Sequence, residues 1–477
     1  MHEYETVIGL ETHVELATKS KLFCGCSTEF GGAPNSHTCP VCTGMPGSLP
    51  VLNRQVLIDA AAVGIATHCE ITRHSKFDRK NYFYPDNPQN YQISQLYLPI
   101  CRNGWVEIET PAGRKKIRIH EIHMEEDAGK LVHDEWTDTT LVDYNRSGVP
   151  LIEIVSEPDM RTGEEVVAYL EKLRLLIGYL GASDCRLQEG SMRVDVNISV
   201  RPAGTKTLGT RTEMKNLNSF KAIARCIEGE KERQLELIEA GKPVIQETRR
   251  WDDNKEYSTA MRSKEDAKDY RYFPDPDLVP IDISDAFLEE IRRLQPEFQE
   301  EKAARYRREF ELPEEDIRIL TGDRSLAELF EKTAALCGLP KKAANWLVVE
   351  TGECMKARGE EPKDLRFSPE HLAALIRMAE KREVNSSAAK EIFAVMYDTD
   401  CDPESYADAH ELRMVQDGGA LAQACSNAVA ANPKAVEDYR SGKKKAIGAL
   451  VGSVMKQLSG KADPQETARV LEDLLKQ

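Results

Sequence analysis

The sequence predicts an α+β protein in which a sheet with backing helices occupies roughly the first 290 residues and an all-helical region follows. Three observations carry this expectation. Alternating apolar and polar runs, with aromatics and turn dipeptides such as Asn103-Gly104 and Ala112-Gly113, dominate up to about Pro280. Two long helical patterns interrupt them. Beyond Pro280 the pattern changes to charged amphipathic segments.

The first helix is predicted from a capping-box pattern, Thr162 with Glu165. An apolar stripe of Val166, Val167, Leu170, Leu173, Leu176, Ile177 and Leu180 follows, and Gly181 stops it. The second runs from about Ser219 to Gly241. In the helical half, residues 286–294, 325–337 and a Ser368-Pro369 start leading into Leu372, Leu375 and Met378 carry the same signal. A turn-rich break at residues 398–403 precedes a last unit of roughly 70 residues. The expected domains are therefore 1–290, 291–405 and 406–477.

Length and composition agree with several folded domains. The chain has 477 residues, 41% of them hydrophobic and 30% charged, with 29 Gly and 23 Pro. Disordered, collagen-like and coiled-coil classes do not fit. The apolar stretch 56–66 is short and interrupted by Asp59, and the N-terminus lacks the basic and apolar regions of a secretion signal. No membrane partner and a cytoplasmic location are expected. Lys plus Arg number 64 against 80 Asp plus Glu, a net charge of −16, so a nucleic-acid partner needs a locally basic surface.

Among 12 cysteines, four form two close pairs: Cys24 and Cys26, then Cys39 and Cys42. Each pair can grip one side of a Zn²⁺ ion from a tight turn, and four sulfurs leave no open position, so a structural zinc knuckle is expected at 24–42. A zinc-deaminase reading of His13-Val14-Glu15 with these cysteines fails, because Pro40 follows Cys39 instead of preceding it.

Residues 7–16 alternate, with Ile8, Leu10, Val14 and Leu16 facing one way and Glu11, His13 and Glu15 the other. The pattern recurs at 192–200, with Arg193, Asp195, Asn197 and Ser199 on the polar side, and more weakly at Arg211, Glu213 and Lys215. Glu153 lies within an apolar run, and Glu125-Glu126-Asp127 follows His120 and His123. A buried unpaired carboxylate is expensive, so these groups need a cation, and Mg²⁺ is the natural one for nucleotide chemistry. The two histidines are read as hydrogen-bonded strand residues. No phosphate-binding glycine loop occurs. Any ATP would be held by cations such as Lys76, Arg79, Lys80, Arg146, Lys215, Arg262, Lys264 and Arg271.

Residues 7–16 (VIGLETHVEL), 123–130 (HMEEDAGK), 143–153 (DYNRSGVPLIE), 211–220 (RTEMKNLNSF) and 269–277 (DYRYFPDPD) carry a family resemblance. Over essentially the whole chain the sequence resembles the B subunit of the bacterial glutamyl/aspartyl-tRNA amidotransferase, the GatB/GatE family. The resemblance implies a glutamine-synthetase-like cradle, then a helical domain, then a small YqeY-like tail. It implies a cytoplasmic heterotrimer with an amidase A subunit and a small C subunit, and tRNA(Gln) or tRNA(Asn) misacylated by an aminoacyl-tRNA synthetase. ATP would phosphorylate the side-chain carboxylate of Glu or Asp on that tRNA, and channelled ammonia would displace the phosphate. Glu11, His13, Glu126, Glu153, Glu213 and Lys215 are then the catalytic candidates, with Glu11, His13, Glu126 and Glu213 on Mg²⁺. Lys80, Arg146, Glu125 and Arg271 are the cofactor contacts, and Glu126 is favoured over Glu125 by motif position.

In the tail, Lys434, Arg440, Lys443, Lys444, Lys445, Lys456 and Lys461 face only Glu437 and Asp438, so this stretch is locally basic and suits an RNA backbone. Two alternatives stay open. A small-molecule carboxylate–amine ligase would keep the acidic face without needing the tail, and a non-catalytic tRNA scaffold would keep the tail and make the acidic strands structural.

Overall fold

In the computed structural model the alternating residues at the start of the chain form a long strand at the centre of a nine-stranded sheet. The structure describes residues 3–134, 136–263, 269–414, 418–458 and 461–476. The strands are β1 Tyr4–Glu15, β2 Glu70–Ile71, β3 Cys101–Thr110, β4 Gly113–Glu126, β5 Pro150–Ser156, β6 Met192–Pro202, β7 Thr212–Lys215, β8 Glu247–Asp252 and β9 Tyr257–Ser263. Their order is β9-β8-β7-β6-β1-β5-β4-β3-β2. Every pairing is antiparallel except β7 with β8.

The alternation sets the faces. Ile8, Leu10 and Val14 are buried together with Ile152 and Ile154 of β5 and Val194, Val196 and Ile198 of β6. A one-residue slip of β1 would bury Glu11, His13 and Glu15 instead, so the register is strongly specified. Three helices cover the apolar face: α1 Arg54–Ala66, α2 Gly163–Leu180 and α3 Phe220–Glu239. The N-cap of α2 is Thr162, which accepts from the Glu165 N–H at 3.2 Å, and Gly181 ends the helix with φ of 70°. Glu165 reaches back to the Arg161 N–H at 2.7 Å, one residue before the expected capping-box partner. Ser219 caps α3.

The stretch at 56–66, which the sequence marks only as apolar, belongs to helix α1. Asn53 caps it by accepting from the Gln55 N–H at 2.9 Å. Apolar residues lie nearly all round this helix, so no amphipathic period announces it. Asn103-Gly104 is not a hairpin turn but lies inside β3, with Asn103 at φ of 53°. A Cβ on Gly104 would lie 2.2 Å from the Cys69 sulfur, so only glycine lets β3 pass that close. The hairpin turn is the one at Ala112-Gly113, between β3 and β4.

The chain forms two compact units, Met1–Gln299 and Glu300–Gln477. Among the described residues the named elements of the second are all helices, with starts capped by Asp323 and Ser368 as their residue types predict. It holds two separate apolar clusters. Tyr306, Phe330, Leu347, Leu375, Phe393 and Ala407 lie in one, and Leu421, Leu450, Val454 and Leu471 in the other. Among the described residues no helix is long and apolar enough to cross a membrane.

Candidate active site on the polar face of the sheet

The strands singled out for their acidic faces are neighbours. Glu11 stands opposite Asp195 on one side, His13 opposite Glu153 on the other, Glu153 opposite His123, Leu151 opposite Glu125, and Asn197 opposite Glu213. Five adjacent strands therefore project Glu11, Glu15, Glu121, Glu125, Glu153, Asp195 and Glu213 from one face.

Two clusters form there. In the first, His13, Glu125 and Glu153 bring their ligand atoms within 4.8 Å of one another. His13 Nε2 lies 3.5 Å from Glu125 and 3.4 Å from Glu153, and His123 Nε2 lies 3.0 Å from Glu153. Burial by itself would lower the pKa of both histidines, but Glu153 and its neighbouring carboxylates outweigh it and raise them. Burial likewise opposes ionisation of Glu153, yet His123 and His13 hold its pKa well below the usual range. Among the described residues the buried His123 Nδ1 has no hydrogen-bond partner, and the Glu121 carboxylate lies 3.6 Å from it.

The second cluster is Glu11, Asp195 and Glu213, also within 4.8 Å. Lys215 donates to Asp195 and stands 2.8 Å from Glu213, Asn197 donates to Glu11 at 2.9 Å, and Thr248 donates to Glu213 at 2.7 Å. Burial and then the charge of Glu153 raise the pKa of Glu11, with Glu213 and Asp195 adding to the effect. Below the clusters Arg193 bonds Asp127 at 2.7 Å, and Arg146 lies 3.4 Å from the same carboxylate. Such a face carries more negative charge than its lysine and arginines neutralise, and its oxygen-rich donor sets suit a hard divalent cation.

Glu126 stands apart. It points to the opposite side of β4, fully buried, where it accepts from the Ile93 N–H at 3.0 Å and from Gln89 at 2.7 Å. Burial pushes its pKa up to about 8. The preference for Glu126 over Glu125 is thus reversed in space: Glu125 stands with His13 and Glu153. Lys215 lies in the second cluster, whereas Arg146 also donates to the carbonyls of Ala128 and Gly129, both at 3.0 Å. Lys80 and Arg271 belong to neither cluster and lie among aromatic rings. Lys76 lies 3.6 Å from Asp78, and Arg79 is held by Asp275 and Asp277. Lys264 and the side chain of Arg262 lie outside the described residues. His123, Asp195, Arg193 and Asp127 belong to the site although the sequence alone assigns them no role. The alternation already places Asp195 and Arg193 on the polar side, while His123 reads there as a plain strand histidine.

Glu15 offers a stability test of this crowding. Burial first, and then Asp127, push its pKa up to about 7. A carboxyl whose folded pKa exceeds its unfolded one stabilises most at low pH, and that contribution is lost as pH rises from about 4.5 to about 7. Glu15→Gln is therefore expected to raise stability at pH 8 by about 1 kcal/mol and to leave it nearly unchanged at pH 4. Urea unfolding at the two pH values checks this, and equal shifts at both would refute the crowding.

The four cysteines also converge, with all four sulfurs within 4.8 Å. Cys39 N–H donates to Cys42 Sγ at 3.2 Å, and the buried Lys21 ammonium lies 3.5 Å from that sulfur. A hydrogen bond from Cys24 brings the Cys42 thiol down to about 4, and sharing that proton raises Cys24. The knuckle is stitched to the segment that leads into β5. Ser147 donates to the Cys42 carbonyl at 3.0 Å, and Asn145 accepts from the His37 N–H at 2.8 Å.

Comparison with known proteins gives the family. The family model described as the GatB/GatE catalytic domain matches residues 6–289, and one described as a GatB domain matches 328–475. The B subunit of the aspartyl/glutamyl-tRNA(Asn/Gln) amidotransferase of Agathobacter rectalis is 65% identical over 475 residues, covering all of both chains. The proteins of the same name from Lachnospira eligens and Lachnoclostridium phytofermentans are 64% and 58% identical, covering all of this chain and 100% and 99% of their own. The sheet with its acidic face, the helical unit that follows and this likeness along the whole length lead to one conclusion: the chain belongs to the GatB/GatE family of amidotransferase subunits.

Proposed function

We propose that this chain uses ATP to phosphorylate the side-chain carboxylate of Glu-tRNA(Gln), Asp-tRNA(Asn) or both, and that ammonia from a partner amidase then yields the amide. The observation that carries the reading is the pair of carboxylate clusters on adjacent strands of one face. In the first step a carboxylate oxygen attacks the γ-phosphorus and ADP leaves. In the second, ammonia attacks the acyl carbon and phosphate leaves. Both partners of the first step are anions, so charge neutralisation dominates its barrier.

Bound Mg²⁺ would supply that neutralisation. Glu125, Glu153 and His13 would hold one ion, and Glu11, Asp195 and Glu213 a second. Lys215, beside Asp195 and Glu213, orients that pair and presents an ammonium toward incoming phosphate oxygens. The hydrogen bonds of Asn197 to Glu11 and Thr248 to Glu213 fix the remaining carboxylate oxygens. Zn²⁺ in the Cys24, Cys26, Cys39 and Cys42 set is structural. Residues 1–290 carry the chemistry and the tail from about 406 binds the tRNA. The chain acts in a cytoplasmic heterotrimer with the amidase and the small third component, served by a misacylating synthetase.

Mixing the chain and its amidase partner with Glu-tRNA(Gln) and ATP tests the reading: phosphate release and amide formation are expected, and neither without tRNA. The tail adds a separate expectation. Lys443, Lys444 and Lys445 are exposed, and among the described residues only Lys443 is ion-paired, to Asp438 at 2.9 Å. Changing all three to Ala is expected to flatten the slope of log affinity for tRNA against log salt by about 2. An unchanged slope would remove the tail from the interface.

A further inference from the structure

The face that carries the carboxylates is bordered by a surface of a different kind. Phe83, Tyr84, Tyr97 and Phe273 are 68%, 54%, 52% and 42% exposed, a concentration of solvent-facing rings that burial alone would not produce. They belong to a small sheet, Asp78–Asn81 with Tyr91–Ser94 and Phe273–Pro274, and to the turns around it. Cations are interleaved with them. Lys80 lies 5.0 Å from the Tyr270 ring centroid, Arg271 6.0 Å from Phe83, and Lys76 5.4 Å from Tyr97. Among the described residues Lys80 and Arg271 make no ion pair through their side chains.

The surface is rigidly built. Asn81 N–H donates to the Tyr270 carbonyl at 2.9 Å and its side chain to the Arg271 carbonyl at 2.8 Å, which straps the two segments together. Arg79 ties the strap down through Asp275 and Asp277, both at 2.7 Å. It is also anchored at the end of β4 that bears Glu125. Lys80 pairs across the small sheet with Gln92, and Gln92 donates to the Glu126 carbonyl at 2.7 Å. Tyr82 and Tyr272 lie close enough to Glu125 for that charge to raise both phenols, after burial as the main cause.

Exposed rings interleaved with cations, of which Lys80 and Arg271 make no ion pair among the described residues, lie beside an anionic face and suit a single-stranded nucleic acid, in which each base offers a π-face and each phosphate a charge. We propose that Phe83 and Tyr84, with Arg271 and Lys80, form a stacking platform for the unpaired 3′-terminal nucleotides of the RNA that carries the substrate amino acid. This assignment rests on the RNA-linked substrate proposed above. The platform positions the substrate and takes no part in bond making. It places the last bases at the rim so that the esterified amino acid reaches Glu125 and Glu153.

The test uses the full chain in complex with its amidase partner and Glu-tRNA(Gln) whose 3′-terminal adenosine is replaced by 2-aminopurine. Binding to the unmodified protein is expected to quench the probe severalfold. Phe83→Ala should abolish the quench and raise KM for the aminoacyl-tRNA about tenfold, within the range of one lost base–ring stack, while KM for ATP stays put. Phe83→Tyr should restore both. Because Phe83 is exposed, circular dichroism of the variant should match the unmodified protein. A rise in KM for ATP alone would assign the rings to adenine and overturn the proposal, as would an unaltered quench and KM in both Phe83→Ala and Tyr84→Ala. Absence of tRNA-dependent turnover in the unmodified complex would overturn the functional reading and the platform with it, whereas turnover with an unquenched probe would overturn the platform alone.

Discussion

Glu125→Gln is expected to lower tRNA-dependent ATP cleavage and amide formation about 10²–10³-fold, the range for losing one preorganised charge that acts in the transition state. Glu125 stands 3.5 Å from His13 and 3.7 Å from His123, so its charge is central to the first cluster. Its neighbour provides the contrast. Glu126 is buried on the other side of β4, and with a pKa of about 8 it is mostly neutral at pH 7. Glutamine there keeps both acceptor contacts, to the Ile93 N–H and to Gln89, without adding a charge. Glu126→Gln should therefore change the rate less than about fivefold. Glutamine hydrolysis by the partner amidase serves as the internal control and should be unchanged in both. Equal losses in the two variants, or a larger loss for Glu126→Gln, would contradict the assignment of the first cluster.

Removal of metal from the cysteine site should have the second largest effect, on stability. Four thiolates around Zn²⁺ carry two net negative charges, and the buried Lys21 ammonium beside Cys42 offsets part of them. Without the ion, the knuckle keeps a buried lysine and sulfurs that repel one another once ionised. Structural zinc contributes about 10–16 kcal/mol to the folding of small zinc modules. Here hydrogen bonds from the segment leading into β5 hold the knuckle as well, so only part of that is expected to appear as lost stability. Cys39→Ser with Cys42→Ser should lower Tm by about 10 °C, and elemental analysis is expected to give one zinc per chain for the unmodified protein and none for the variant. An effect on activity would pass through β4, because Lys21, Cys42, Gln89, Gly148 and Glu126 line one small cavity on the side of that strand away from the carboxylate clusters. A metal-free preparation with unchanged melting would refute a structural zinc.

Much of the fold is legible in the chain itself because its signals are local. The alternation at residues 7–16 and 192–200 gives the apolar face of the sheet, Thr162 and Gly181 delimit α2, and Ser219 starts α3. Helix α1 is not legible in this way. Its apolar residues lie on nearly every side, so it shows neither of the periods by which helices and strands are told apart.

The candidate site divides along the same line. Its residue types follow from the sequence: carboxylates and histidines opposite apolar neighbours, and four cysteines in two close pairs. Which of them meet was decided in tertiary structure, and β4 shows why. Ile117 and Ile119 face the core at the start of the strand, and continued alternation would send residues 121, 123 and 125 inward and Glu126 outward. A register shift against β5, where Val155 pairs with Glu121 but Ser156 with Ile119, adds a residue to β4 and inverts the alternation. Ile122, Met124 and Glu126 therefore face the core side, and Glu121, His123 and Glu125 join the acidic face. The residues were set by sequence and their side by one bulge, a feature that arises only when β4 pairs with its neighbour.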